Sequence, residues 1–280
     1  AAGGDILQSA TTLTDRAAAD TKFSSTSSRS DVFEIGVTAN AGVSQGLTTD
    51  AQLGAGVKQG FTHNQSAESE SSSKAVTSSY SAGGRVVSVT SGKTSLEGTQ
   101  IKGDQGVAIQ AGSFDYQAAQ NTENKSGKEI GVDQKLSVDI IGKTVAGGVE
   151  AEYGKSSSAS SEAVVGRIES GSSKVSVTTT GGDLRLVGTE ISGAKGVDVG
   201  ATGGKVLLEA ARSTSTSTAE TANAGVDFTV GKEKKASNGG TPGDVNGNSL
   251  EVKGGYQVDR TNTVKNEVVK LSSSQGTVNV

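Results

Sequence analysis

The chain has no cysteine, no methionine and no tryptophan, one proline and one histidine, and aromatics make up only 3% of its 280 residues. Each scarcity removes a class of answer. Without cysteine there is neither a disulfide framework nor a thiolate ligand or nucleophile, although such a chain suits passage through an oxidising periplasm, where it cannot mispair. With His63 as the lone imidazole, no histidine metal cluster can be built. It sits in Phe61-Thr62-His63-Asn64 and is expected to be solvated near a hairpin end, with pH sensing as the alternative. No run approaches the roughly 18 apolar residues of a membrane helix, and Ala1 opens without a charged and apolar signal segment, so the chain reads as part of a larger polypeptide. Charge of one sign is lacking too: 30 acidic and 26 basic residues are interspersed, for a net charge of -4. No nucleic acid partner is expected, because there is no basic footprint for one.

What is present is glycine, 40 residues of it, and apolar residues in short, regular runs that amount to 32% of the chain. Few bulky side chains imply a thin core, and the regular runs imply a folded, elongated molecule rather than disorder. Leu96-Glu97-Gly98-Thr99-Gln100-Ile101, continuing to Gly106-Val107, returns as Leu186-Val187-Gly188-Thr189-Glu190-Ile191, continuing to Gly196-Val197. A repeat of this length makes the molecule an array of one supersecondary unit. Around the second copy, Val175 and Val177, Leu184 and Leu186, Val197 and Val199, and Val206 and Leu208 alternate with polar residues at the period of a strand. The step from Val175 to Val197 and from Leu184 to Val206 is 22 residues, and that from Val87 to Val107 and from Leu96 to Tyr116 is 20. Steps of this size suit one coil of a β-solenoid, with coils stacked about 4.8 Å apart and tight corners such as Thr178-Thr179-Thr180-Gly181-Gly182-Asp183. The alternative is a β-sandwich, which calls for longer strands and has no reason to repeat at this step. In the solenoid, Val87, Val89, Leu96, Val107, Ile109, Val175, Val177, Leu184, Leu186, Val197, Val199, Val206 and Leu208 are expected to face inward in one column.

An apolar residue seven places ahead opens each repeat: Tyr80 before Val87, Ile168 before Val175, Leu271 before Val278. Gly3-Gly4-Asp5-Ile6-Leu7-Gln8-Ser9-Ala10 matches Gly203 to Ala210, the closing strand of the unit. The expected organisation is a single array over 1–280: closing strand 1–10, insertion 11–79, repeat 80–167 with insertion 118–166, repeat 168–270 with insertion 210–267, and the start of a further repeat at 271–280. Each insertion begins rich in Ser and Thr, as in Ser213-Thr214-Ser215-Thr216-Ser217-Thr218, and then alternates apolar with small residues. Phe33, Ile35, Val37, Ala39 and Ala41 share a face and are followed after a turn by Leu53, Ala55, Val57 and Phe61. Leu136, Val138 and Ile140 lead through Gly142-Lys143-Thr144 to Val145, Gly147, Val149, Ala151 and Tyr153. Val226, Phe228 and Val230 lead through a loop holding Pro242 to Leu250, Val252 and Tyr256. These read as hairpins, and because a lone hairpin is marginal they must lie on the solenoid, on each other or on a partner. Stacking on the solenoid is the expected arrangement; membrane-spanning strands of about 10 residues are the alternative reading.

Candidate chemistry is sparse. No catalytic, cofactor-binding or metal residues are assigned, and no enzyme activity or cofactor is expected. Abundant serine means nothing nucleophilic without a positioned base. Gly-Gly-Asp at Gly3 and at Gly181 suggests calcium-binding nonapeptides, but the unit does not recur every nine residues, and corners explain it better. Asp198, Glu190 and Glu209 would suit glycoside chemistry only if the fold brought two of them together.

Gly181-Gly182-Asp183-Leu184-Arg185-Leu186-Val187-Gly188-Thr189 and Gly204 to Ala211, with the Ser/Thr-rich run that follows, resemble the haemagglutinin repeats of filamentous-haemagglutinin-like exoproteins. That resemblance implies an all-β, right-handed parallel β-helix; the alternating strands of the insertions themselves lead to the expectation that the long hairpins form a side sheet. It implies secretion by the two-partner route to a bacterial cell surface, passing through the periplasm, with an outer-membrane transporter as a partner. The repeats with long Ser/Thr-rich insertions are similar to the C-terminal repeat region of contact-dependent growth inhibition exoproteins, which is implicated in moving a toxin across the target cell's outer membrane. A delivery segment is therefore one expected function, and an adhesin segment contacting a surface receptor is another. The third, a carbohydrate-active β-helix enzyme, would require an acidic cleft. No pretoxin motif or toxin domain occurs in the sequence, so toxicity itself is not assigned to it.

Overall fold

A computed structural model describes residues 2–44, 50–234 and 244–280. The chain winds through three parallel sheets in a fixed order. One strand is added to the first, then the second, then the third sheet on each coil. The first coil takes β1 (Ile6–Ala10) and β2 (Leu13–Asp15), leaves as a hairpin of β3 (Ala18–Ser44) and β4 (Asp50–Val76), and returns as β5 (Ser79–Ala82). The second coil, β6 (Arg85–Thr90), β7 (Lys93–Glu97) and β8 (Gln100–Gly103), has no hairpin. The third is β9 (Gly106–Ala111), β10 (Ser113–Gln117), the hairpin β11 (Ala119–Asp139) and β12 (Thr144–Val164), and β13 (Gly166–Ser170). The fourth, β14 (Val175–Thr179), β15 (Leu184–Val187) and β16 (Thr189–Gly193), is again plain. The fifth is β17 (Val197–Ala201), β18 (Val206–Glu209), the arms β19 (Ala211–Lys234), β20 (Asp244–Asn246) and β21 (Ser249–Glu267), and β22 (Lys270–Ser273), after which β23 (Val278–Asn279) joins the first sheet. The loop expected around Pro242 lies outside the described residues.

Period-two alternation puts one residue in two inside, and register stacks like on like. Val86, Val107, Val175, Val197 and Val278 form one column, and Tyr80, Ile101, Ile168, Ile191 and Leu271 another. In the second sheet Leu96, Tyr116, Leu186 and Leu208 line up. Nine of the thirteen expected core residues are buried: Leu96, Val107, Ile109, Val175, Val177, Leu184, Leu186, Val197 and Val199. Val206 and Leu208 face the same interior from the outermost strand of their sheet, so Val206 is only half-buried and Leu208 is 47% exposed.

Val87 and Val89 correct the reading. They face outward, and Val86, Ser88 and Thr90 face in. Corner length decides this: Val86 follows Tyr80 by the same interval as its register partner Val107 follows Ile101, one residue fewer than between Ile168 and Val175. Slipping one residue would seat Val87 and Val89 in place of Val86 but would break that corner and the buried hydrogen bond between the Thr90 and Thr94 hydroxyls, 2.6 Å apart. The cost is visible in Ser88, whose hydroxyl has no partner. A second correction concerns Ile6–Ala10, which pairs with Val86–Thr90 in the first sheet; the counterpart of the closing strand Val206–Glu209 is Leu13–Asp15 in the second.

Hairpins leave only at the corner between the second and third sheets, and only on alternate coils. The plain coils close that corner with Gly98 (φ 63) and Gly188 (φ 54), the centres of the two copies of the repeated motif. A Cβ at Gly188 would lie 2.4 Å from the Ala211 Cβ at the root of the next hairpin, so the left-handed backbone and the lack of space both require glycine. At the root of the middle hairpin Gly166 leaves room for the Tyr116 ring, whose hydroxyl donates to the Thr99 carbonyl.

Leu186→Asp places an unpaired charge where the side chain is fully buried and is expected to abolish cooperative folding of the coils. Ser88→Ala is expected to raise stability by about 1 kcal/mol, because it removes an orphaned hydroxyl. Thermal melts followed by circular dichroism check both; no stabilisation by Ser88→Ala would argue against this inward register.

Candidate functional site

The three hairpins pair edge to edge in one antiparallel side sheet, ordered β3, β4, β11, β12, β19 and β21, with β20 extending the last returning arm. The expected side sheet is present, and the arrangement stacked on the solenoid is corrected: the hairpins' ladder partners are other hairpin strands. The two junctions between hairpins share one register, in which the fourth residue from each root faces the fourth from the next, Ser73 opposite Thr122 and Ser161 opposite Thr214. Such regularity follows if the solenoid sets the spacing of the roots.

Near the roots both faces are polar, and hydroxyls meet across strands, Ser28 with Ser66 at 2.7 Å and Ser69 with Ser126 at 2.8 Å. Farther out the faces diverge. One carries the row Phe33, Phe61, Gln134, Val149, Val226 and Val252, then Ile35, Gln59, Leu136, Gly147, Phe228 and Leu250, then Val37, Val57, Val138, Val145 and Val230. The other carries Glu34, Gly60, Lys135, Gly148, Asp227 and Glu251 at the equivalent height. The expected alternation in the insertions is thus present among the described side chains, except that Ile140 lies in the turn beyond β11. Ala41 and Leu53 pair within the first hairpin. Among the described residues no layer covers the apolar face: Val37 is 78% exposed, Leu250 72% and Ile35 68%. A concavity of about 860 Å³ is shaped here by Phe33, Ile35, Leu136, Gly147 and Phe228 together with polar neighbours. The Phe228 ring lies over Gly147, where a Cβ would meet it at 2.9 Å.

His63 is not simply solvated. It stands in a row of this face with Nδ1 2.5 Å from the Asp31 carboxylate, which Arg29 also holds at 2.9 Å. The imidazole and then the guanidinium keep the Asp31 carboxyl below its usual range.

The three carboxylates considered for glycoside chemistry are on three different sheets. Glu190 on β16 pairs with Arg167 at 2.8 Å, Asp198 on β17 with Lys174 at 2.5 Å and Glu209 on β18 with Arg185 at 2.7 Å. Each is matched to a base one coil earlier. Sequence reasoning had no view of these pairs, since partners more than 20 residues apart meet only once the coil length is known. Hydrogen bonds from Lys174 and Asn279 hold Asp198 below the usual carboxylate range, and the bond from Arg185 does the same for Glu209. Among the described residues no group of three or more His, Cys, Asp or Glu is placed to hold a metal ion. The Gly-Gly-Asp strings are corners in which aspartate caps the next coil: Asp5 accepts from the Arg85 amide at 2.7 Å and Asp183 from the Lys205 amide at 2.9 Å.

Two outcomes follow. Calcium or a chelator should leave the melting temperature unchanged, while Asp183→Ala should lower stability by about 1 kcal/mol through its lost amide bond. A calcium-dependent rise would reassign Asp5 and Asp183 as ligands. Because the folded-state pKa values of Asp31, Asp198 and Glu209 are depressed, their contribution is present above the unfolded carboxylate range and is lost as pH falls through the folded values. Stability should therefore hold from neutrality to about pH 5 and decline modestly below about pH 4, since all three are at least partly exposed, as melts at constant ionic strength would show.

No curated protein matches the chain. The hemagglutinin repeat family matches it twice, over residues 59–172 and 154–279, and each match runs from a returning hairpin arm through two coils and the next hairpin or its returning arm. With a coiled parallel core, hairpins on every second coil and two matches that together span most of its length, the chain belongs to the hemagglutinin repeat family, as a filamentous-haemagglutinin-like repeat region.

Proposed function

We propose that this segment is a stalk-and-delivery unit of a secreted exoprotein, with the solenoid as the stalk and the apolar face of the side sheet as the working surface in toxin delivery across a target cell's outer membrane. The observation that carries the reading is that face, with phenylalanine, isoleucine, leucine and valine exposed at the far end of a Ser/Thr-rich stem. Monomeric soluble proteins rarely expose contiguous apolar patches above a few hundred Å², and patches that do occur mark contact with a partner or a membrane. On this reading the exoprotein leaves its own cell through an outer-membrane two-partner-secretion transporter and acts at the bacterial surface, and the segment has no catalysis of its own. The concavity on the sheet favours a second reading, an adhesin segment that seats a surface receptor there.

The test is deletion of residues 129–156 in the intact exoprotein, closed by a short flexible linker, with secretion and delivery into target cells both assayed. The deletion removes the outer parts of β11 and β12 and parts the outer region of the sheet, leaving a stem in which residues 122–128 and 157–161 keep their partners on β4 and β19. Normal export with lost delivery is expected, and normal delivery would overturn the proposal. Val145→Glu with Val226→Glu keeps every strand and charges only the apolar face, so it should reproduce the lost delivery.

A further inference from the structure

The apolar face is part of a single layer, and a sheet with one apolar face needs a second layer to be stable in water. Its dimensions identify what fits. From the Ile130–Tyr153 pair to the Val138–Val145 pair the apolar band runs about 27 Å along the strands, and six strands span about 24 Å across them. The result is a flat rectangle of about 650 Å², so two such faces together bury about 1,300 Å², within the range of specific protein interfaces.

Charge narrows the occupant. Over the three outer rows the face carries no ionised side chain; Arg29, Asp31 and His63 occupy one corner of the rectangle, on the edge hairpin, in the rows of Ile130 and Val132. The opposite face at the same height carries Glu34, Asp133, Glu150, Asp227 and Glu251 against Lys58, Lys135 and Lys253. A face with this acidic excess behind the apolar one gives anionic lipid headgroups no net attraction. A protein sheet with the same apolar area and the same uncharged centre has no such difficulty, and a second copy of this chain supplies one.

We propose that two copies of the chain pack their side sheets face to face through this apolar band, as the two layers of a β-sandwich about 10 Å apart, with both solenoids on the outside. Val149 and Gln134, on the two central strands, lie at the middle of the contact. The charged faces point to solvent on both sides. The inference stands on the geometry of the sheet rather than on the delivery reading, and the two fail separately: dimerisation is read in vitro on the purified chain, delivery in cells on the intact exoprotein.

The experiment measures mass by light scattering and sedimentation from about 1 to 100 μM on the 280-residue chain, with three glutamate variants. Val145 and Ala146 are neighbours on β12 that point to opposite faces, so the same charge is introduced on each face in turn. Wild type and Ala146→Glu are expected to show a concentration-dependent dimer, whereas Val145→Glu and Val226→Glu should stay monomeric with unchanged circular dichroism, because both positions are exposed in the single chain. A parallel flotation arm uses vesicles of phosphatidylethanolamine and phosphatidylglycerol. A folded wild type that is monomeric at about 100 μM overturns the proposal, whether or not it floats, and flotation of that monomer would transfer the face to lipid. A dimer unaffected by Val145→Glu and Val226→Glu would also overturn it, placing the contact elsewhere.

Discussion

One coincidence of lengths governs this molecule: the rise of two coils equals the width of one hairpin. Coils stack at the strand spacing of about 4.8 Å, so two coils climb about 9.6 Å, and a hairpin is two strands wide at the same spacing. Hairpins on every second coil can therefore form one unbroken sheet, as they do here from β3 to β21. One on every coil would crowd the sheet into two layers, and one on every third would leave its edges apart. The alternation of plain corners, closed by Gly98 and Gly188, with inserted ones is what makes the side sheet continuous.

Stability is divided unevenly as a result. The coils have a thin but dry interior, where Ile168, Val175, Leu184, Leu186 and Ile191 are fully buried and each strand is held on both sides by its register neighbours. The side sheet has ladders without an interior: its residues are at most half-buried beyond the roots, where Ala119, Ala163 and Ala211 are covered. Its stem relies on hydroxyl contacts between strands, and its outer part holds apolar area still open to water. The rigid element thus carries the adaptable one, an arrangement suited to a surface that must meet something else.

The solenoid's outer surface ties its coils to one another. Opposite charges form ladders between coils, such as Asp115 and Glu209 on either side of Arg185, and the three sheets hold Glu190, Asp198 and Glu209 apart. A carboxylate paired to a base on a neighbouring coil is a fastener.

Much of the fold was legible in the sequence because stacking repeats a physical requirement at every coil. Inward valines and leucines recur at the coil interval, corner glycines recur where the chain must turn sharply, and alternation in the insertions marks strands with one apolar face. Local pattern could not place Val86 against Val87, since both readings alternate; the length of a corner decided between them, and that length matters only when coils are stacked. Nor could it place Ile6–Ala10, which has the letters of the closing strand and the position of the first sheet. The candidate surface was visible as three hairpins expected to share a side sheet; only the tertiary structure gave their order and register, because strands as distant as Phe33 and Val252 share a row through hydrogen bonds between hairpins whose spacing is set by the solenoid beneath.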